Sequence, residues 1–88
     1  MIEWDQAKSR RNFRERGFDF AFAAAIFEAP TLEMDDDRFD YRERRIRAIG
    51  QVEDQILCVV YTWRGIRRRI ISARSANRKE RDLYAKAL

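Results

Sequence analysis

The sequence predicts an α+β fold in which a short strand and two helices precede an antiparallel meander and a C-terminal helix, all in one domain over residues 1–88. Three observations carry this. Two segments with helical composition, each opened by an aspartate, fill the first third and stop at Gly17 and Pro30. The middle alternates Arg45, Arg47 and Ile49 with Ile46, Ala48 and Gly50, and then runs apolar over residues 56–63, both of them strand patterns. Near the end, Asn77 and Glu80 stand at the spacing of a capping box.

Residues 2–4 suit a short strand. Asp5 can accept from the first backbone N–H groups of a helix that continues to Arg16, and Gly17 supplies the left-handed stop. Asp19 opens a second helix, where Phe20, Ala23, Ala24 and Phe27 recur at helical spacing until Pro30 ends it. Residues 31–34 suit another strand, and the polar run DDDRFDYRERR forms a loop leading into the next. The acidic turn Glu53-Asp54 and Gly65 bracket the apolar run, which has the composition of a central strand. Residues 69–74 close the meander, and the last helix carries a narrow apolar side of Leu83, Tyr84, Ala87 and Leu88. The expected order is β-α-α-β-β-β-α, or the same with a fourth strand after the two helices, with an antiparallel sheet packed against the two N-terminal helices and the C-terminal one.

Composition narrows the class of protein. Hydrophobic residues at 45%, with six Phe, three Tyr and two Trp, can fill a small core, and 39% charged residues argue for solubility. No apolar run approaches the roughly 18 residues of a spanning helix, and an N-terminus charged from Glu3 does not suit a signal peptide. A cytoplasmic protein without membrane contact is expected. Cys58 is the one cysteine, set in an apolar run; it belongs in the core and offers neither a disulfide nor metal-ligand spacing.

Charge is the strongest functional signal. The stretch RRRIISARSANRKER, residues 67–81, holds seven basic residues against one acid, a local +6 within a total of +4, which leaves the rest of the chain at −2. A basic patch on a nearly balanced body suits nucleic acid or an acidic protein partner. If Ile71 and Ala73 face the helices, Ser72 and Arg74 face away. Arg78 and Arg81 share a side of the last helix, and Arg74 can join them at its N-terminus to form an anion site. The alternative is that these arginines pair with Asp35, Asp36 and Asp37 across the surface. Glu80 suits a capping box better than a general base, and Tyr84 suits either the same surface or the core. Tyr61 and Trp63, on one face of the central strand, can stack unpaired bases or complete the core. Asp35, Asp37 and Asp40 offer oxygen ligands, but their spacing fits no EF-hand and a solvated loop is favoured. Neither a metal nor a cofactor is expected.

Together the motifs resemble a known family. IEWD at the N-terminus, Lys8-x-x-x-Asn12, the Gly17 stop, the aromatic-rich second helix, DDRFDY before RIRAIG, VVYTWR, and above all RIISARSANRKER are similar to the BrnT toxins of BrnT/BrnA toxin-antitoxin pairs. The resemblance covers nearly the whole chain. It implies a RelE-like fold, a ribonuclease that arrests translation, and an antitoxin with a ribbon-helix-helix dimer, which alone contacts operator DNA. It also raises Lys8, the only lysine outside the last helix, from a solvated residue to a candidate for phosphate contact or proton transfer. Two departures stand out: many relatives have His where Arg16 stands, and often where Phe39 stands, whereas this chain has none.

Cleaving RNA without a metal requires deprotonation of the 2′-OH, neutralisation of charge on the phosphorane and protonation of the 5′ oxygen. Lacking the usual near-neutral shuttle, the chain would rely on Arg74 and Arg81 for charge, with Lys8 and Tyr84 as proton-transfer candidates and a modest intrinsic rate. Arg78, Tyr61 and Trp63 would hold RNA alongside Arg74 and Arg81. The competing class is a non-catalytic nucleic-acid or protein-binding module whose patch only holds phosphate.

Overall fold

The computed structural model describes residues 1–38 and 40–88, so Phe39 lies outside the described residues. Strand β1 (Ile2–Trp4) leads into helix α1 (Gln6–Arg16), helix α2 (Phe20–Ala24) and a 3₁₀ turn (Ala25–Glu28). Strands β2 (Leu32–Asp35), β3 (Ile46–Val52), β4 (Gln55–Arg64) and β5 (Arg67–Ser75) follow, and helix α3 (Arg78–Ala87) ends the chain. The class is α+β as expected, and four strands follow the helices, the larger of the two numbers expected, because residues 31–34 do form the strand foreseen for them. The short β2 still pairs in full register with β3, from Leu32 opposite Ile49 to Asp35 opposite Ile46.

The sheet runs β1-β5-β4-β3-β2, with β4 central. Its last four strands form an antiparallel meander, but β1 lies parallel to β5, so the sheet is mixed where an antiparallel one was expected. A strand separated from its neighbour by most of the chain is not bound by hairpin geometry to run antiparallel.

Local chemistry sets the helix ends. Asp5 Oδ1 accepts from the Lys8 N–H at 3.0 Å, Asp19 Oδ1 accepts from the Phe22 N–H at 2.8 Å, and Gly17 adopts φ 87° to close α1. Inside the α1–α2 corner, Asn12 Nδ2 donates to the Phe18 carbonyl and Ser9 Oγ accepts from the Phe20 N–H, each at 2.9 Å. Asn12, singled out by its motif, is thereby a buried staple between the helices. The second helix does not run unbroken to Pro30; it tightens into the 3₁₀ turn, where Ile26 presses on Gly50 of β3.

One face of the sheet packs Ile46, Ala48, Leu57, Val59, Tyr61, Ile70 and Ala73 against Phe18, Phe20, Ala23 and Ile26. That Ile70 and Ala73 share this face breaks the simple alternation expected for β5. The register jumps from Val60 opposite Ser72 to Tyr61 opposite Ile70, leaving Ile71 as a bulge. On the other face, Ile49 and Cys58 are register partners, both fully buried, flanked by Arg47 on β3 and Arg74 on β5. Helix α3 covers this second face.

Candidate functional site

The site grows from the start of α3. Asn77 Oδ1 accepts from the Glu80 N–H at 2.8 Å and Glu80 Oε1 accepts from the Asn77 N–H at 2.9 Å, a complete capping box. Glu80 does more than cap. Arg74 donates to it through Nη1 and Nη2, at 2.8 and 2.9 Å, and Arg47 Nη1 donates at 3.3 Å. Glu80 is only 3% exposed. Burial pushes its carboxyl up, but the Arg74 guanidinium and the Asn77 N–H outweigh burial and hold it at about 2. The same bond keeps Arg74 more firmly charged than an ordinary arginine.

A second acid–arginine cluster adjoins. Asp36 is buried and accepts from Arg38 Nε and Nη2, at 2.6 and 3.0 Å, and from the Tyr41 hydroxyl at 3.1 Å. The Arg38 bonds depress its carboxyl, and Arg47 is near enough to add to the effect, while Arg38 opposes the charge on Arg74. Arg47 Nη2 meets Met34 Sδ at 3.1 Å, and its Nε is buried with no partner among the described residues. A buried orphan donor costs about 1–3 kcal/mol, and Arg68 Nε on the other face is a second one. The surface therefore offers two guanidinium groups, preset on one ionised carboxylate, with further arginines around them. Such an arrangement can bind phosphate and neutralise charge on it.

Of the sequence-predicted site residues, Arg74 lies in this cluster. Arg81, on the same helix as Glu80, donates through Nη1 to the Ala76 carbonyl at 2.7 Å. Arg78, at the first position of α3, is exposed, and Tyr84 is half-buried. The structure does not bring the rest to this face. Lys8 lines a separate cleft between α1 and the bulge of β5, with Arg11, Glu15, Arg16, Ile71 and Ser72. Tyr61 and Trp63 lie on the opposite face of the sheet, opposite Ile70 and Arg68 respectively. Tyr61 is buried, donates its hydroxyl to Glu33 at 2.8 Å and meets Phe27 and Trp63 edge-on. Arg68 sits over Phe27, Trp63 and Tyr61, at 4.5, 5.0 and 5.4 Å from their ring centres, leaving Trp63 45% exposed.

The acidic loop is engaged rather than free: Arg44 donates to Asp35, Arg38 to Asp36, and the Arg42 N–H to Asp40. Among the described residues, no three acids, histidines or cysteines are grouped as metal ligands would be. Cys58 lies beneath Glu80, its thiol pushed up to about 11 by burial. No helix among the described residues is long and apolar enough to cross a membrane.

Sequence reasoning passed over Arg47 and Arg38. The only signal for Arg47 was the alternation that puts it on the face away from Ile46 and Ala48, and Arg38 sits in a run too polar to show a pattern. Together these positions give a small α+β protein with arginines gathered on one buried carboxylate between its sheet and its last helix. Residues 4–80 match the family model described as the ribonuclease toxin BrnT of type II toxin-antitoxin systems, and the chain belongs to that family. Comparison with curated proteins gave no match.

Proposed function

We propose that this chain is an endoribonuclease that blocks translation in the cytoplasm, as a RelE-like single domain, without a metal and without histidine. A BrnA-like ribbon-helix-helix antitoxin would neutralise it and supply the only contact with operator DNA. One observation carries the reading: Arg47 and Arg74 converge on the single buried carboxylate of Glu80, at 3.3 and 2.8 Å, beside the positively polarised start of α3. An RNA phosphate at their outer edges would meet preorganised donors. As the 2′ oxygen bonds to phosphorus, its proton leaves to a base; the P–O5′ bond then breaks and O5′ takes a proton, giving a 2′,3′-cyclic phosphate and a 5′ hydroxyl. Arg47, Arg74 and Arg81 would carry the phosphorane charge, with Arg78 holding a flanking phosphate. Tyr84, on the same helix, is the nearer of the two proton-transfer candidates by chain position, and Lys8 would serve only an RNA that reaches the α1 cleft. Trp63, by its exposure, is the better placed of the two strand aromatics to stack a base.

A specific observation also favours the non-catalytic reading. Within the cluster, the shifted proton-transfer groups sit far from neutrality, Glu80 at about 2 and Cys58 at about 11. Purified protein incubated with single-stranded RNA, with and without ribosomes, separates the two. Wild type should yield 2′,3′-cyclic phosphate ends, and Arg74→Lys and Arg81→Ala should slow cleavage by about 10²–10³-fold while still folding and binding antitoxin. If wild type binds RNA but leaves it intact under both conditions, and does not arrest growth, the binding-module reading takes its place.

A further inference from the structure

Ion pairing redistributes the charge that the sequence concentrates in residues 67–81. Arg67 and Arg69 pair with Glu3, Arg74 pairs with Glu80, and Arg68 is enclosed by aromatic rings. Helix α1 differs: among the described residues, Lys8, Arg10, Arg11, Arg14 and Arg16 form no ion pair, although the helix holds only one acid, Glu15. In the middle of these cations stands Phe13, 58% exposed. Gln6, Arg10, Phe13 and Arg14 fall on one strip of the helix. Phe13 divides two hollows. One, of about 330 Å³, is lined by Trp4, Arg10, Arg14 and Ala21; the other, of about 340 Å³, by Arg16, Phe18, Phe22 and Gln55. Asp19 borders both, but its carboxylate is taken by the cap of α2.

We propose that this strip of α1 is the docking surface for an acidic amphipathic helix of the antitoxin, whose apolar side straddles Phe13 and whose carboxylates meet Arg10, Arg14 and Arg16. The proposal rests on the chain's having an antitoxin partner, as its family implies. Two features select an acidic helix over an RNA strand. A solvent-exposed ring flanked by two hollows, one holding Trp4 and the other Phe18 and Phe22, matches the spaced anchors of a helix laid in a groove, where phosphate would use the cations and leave Phe13 idle. The surrounding positive charge, five cations on the helix against Glu15 and the capping Asp19, gives register and a fast approach to an acidic partner. The strip also shares no residue with the Arg47–Arg74–Glu80 cluster, so docking here leaves the anion site to be covered by another part of the partner.

The test is calorimetry of this chain against the purified protein encoded by the reading frame beside it, at low and high salt, with RNA cleavage measured in parallel. Phe13→Ser should weaken binding by about 30-fold or more, as loss of a central aromatic anchor does. Arg10→Glu with Arg14→Glu should weaken it at low salt and flatten its salt dependence, and reversing acids on the partner helix to lysine should restore it. Both variants alter exposed side chains, and both should keep the wild-type urea midpoint and cleavage rate. Unchanged binding in both variants overturns the docking site and leaves the toxin–antitoxin reading standing. Lost cleavage with retained binding assigns the strip to RNA and also overturns it. If wild type itself binds no product of that frame, the antitoxin reading falls and takes this proposal with it.

Discussion

Arg74 and Glu80 form a two-pronged ion pair, at 2.8 and 2.9 Å, between the last strand and the capping box of the last helix. One carboxylate therefore closes the helix start, ties it to the sheet and fixes the spacing of two guanidinium groups. The fold and the arginine cluster share this residue. Glu80 is nearly inaccessible, so it acts by holding Arg47 and Arg74 rather than by meeting substrate.

Removing the carboxylate should be costly. Glu80→Ala loses the cap and leaves two arginines side by side without their counter-charge, and breaking a buried pair from one side costs about 3–5 kcal/mol. Urea unfolding of Glu80→Ala should show that loss. Asn77→Ala, which removes only one arm of the cap, should lose about 1 kcal/mol.

Acid should reproduce the first of these changes. The Glu80 carboxyl lies at about 2 in the folded chain against an ordinary 4.5, so its contribution is full above pH 4.5 and is lost as pH falls toward 2. The depressed Asp36 carboxyl acts in the same direction. Wild-type stability should fall steeply across that window, and the difference between wild type and Glu80→Gln should shrink toward zero at its acid end. A difference that stays constant from pH 6 to pH 2 would show that Glu80 does not hold its proton off as this geometry requires.

How far these features can be read from the sequence depends on the range of the interaction. Asp5, Asp19, Gly17 and the Asn77–Glu80 box act within a few residues, so composition and spacing locate them directly. The bulge at Ile71 is set by strand register, which strict alternation cannot reveal, and it puts Ile70 rather than Ile71 in the core. Charge was the least legible quantity. Seven basic residues in a row of fifteen suggested one exposed patch, but Glu3, 64 residues before Arg67, neutralises part of it through the parallel pairing of β1 with β5. Arg47 reaches the site only because β3 and α3, 33 positions apart at Arg47 and Glu80, meet across the sheet face.

Gly50 should not tolerate a methyl group. A Cβ there would stand 2.7 Å from Ile26 Cβ, in the 3₁₀ turn, and 3.1 Å from Cγ2 of Thr31, the residue before β2. Gly50→Ala should lower stability by about 1–3 kcal/mol, the usual result of overpacking, measured by thermal or urea unfolding. Pairing it with Ile26→Val should recover little, because valine keeps both the Cβ and the γ carbon that stand closest.

Cys58 should be chemically silent in the native protein. It is 1% exposed and its thiol is pushed up to about 11, so neither access nor thiolate is available at neutral pH. An aromatic disulfide reagent should label it only as fast as the chain opens, and labelling should become immediate in denaturant. Glu80→Ala, by loosening α3 over this face, should raise the native labelling rate in step with its loss of stability.

Arg47 and Arg78 should differ in kind when tested against RNA. Arg47 is partly buried and held by Glu80, and under the proposed mechanism its outer edge acts on the reacting phosphate. Arg47→Lys keeps the charge but loses the planar fork, and should cut the cleavage rate by about 10²-fold with little change in RNA affinity. Arg78 is exposed at the first position of α3, forms no ion pair among the described residues, and under the same mechanism holds backbone phosphate. Arg78→Ala should weaken binding to all single-stranded sequences alike and reduce the slope of log affinity against log salt by about 0.7, leaving the rate at saturating RNA nearly unchanged. If Arg47→Lys changes only affinity, Arg47 belongs to the binding surface, and catalysis must be sought among Arg74, Arg81 and Tyr84.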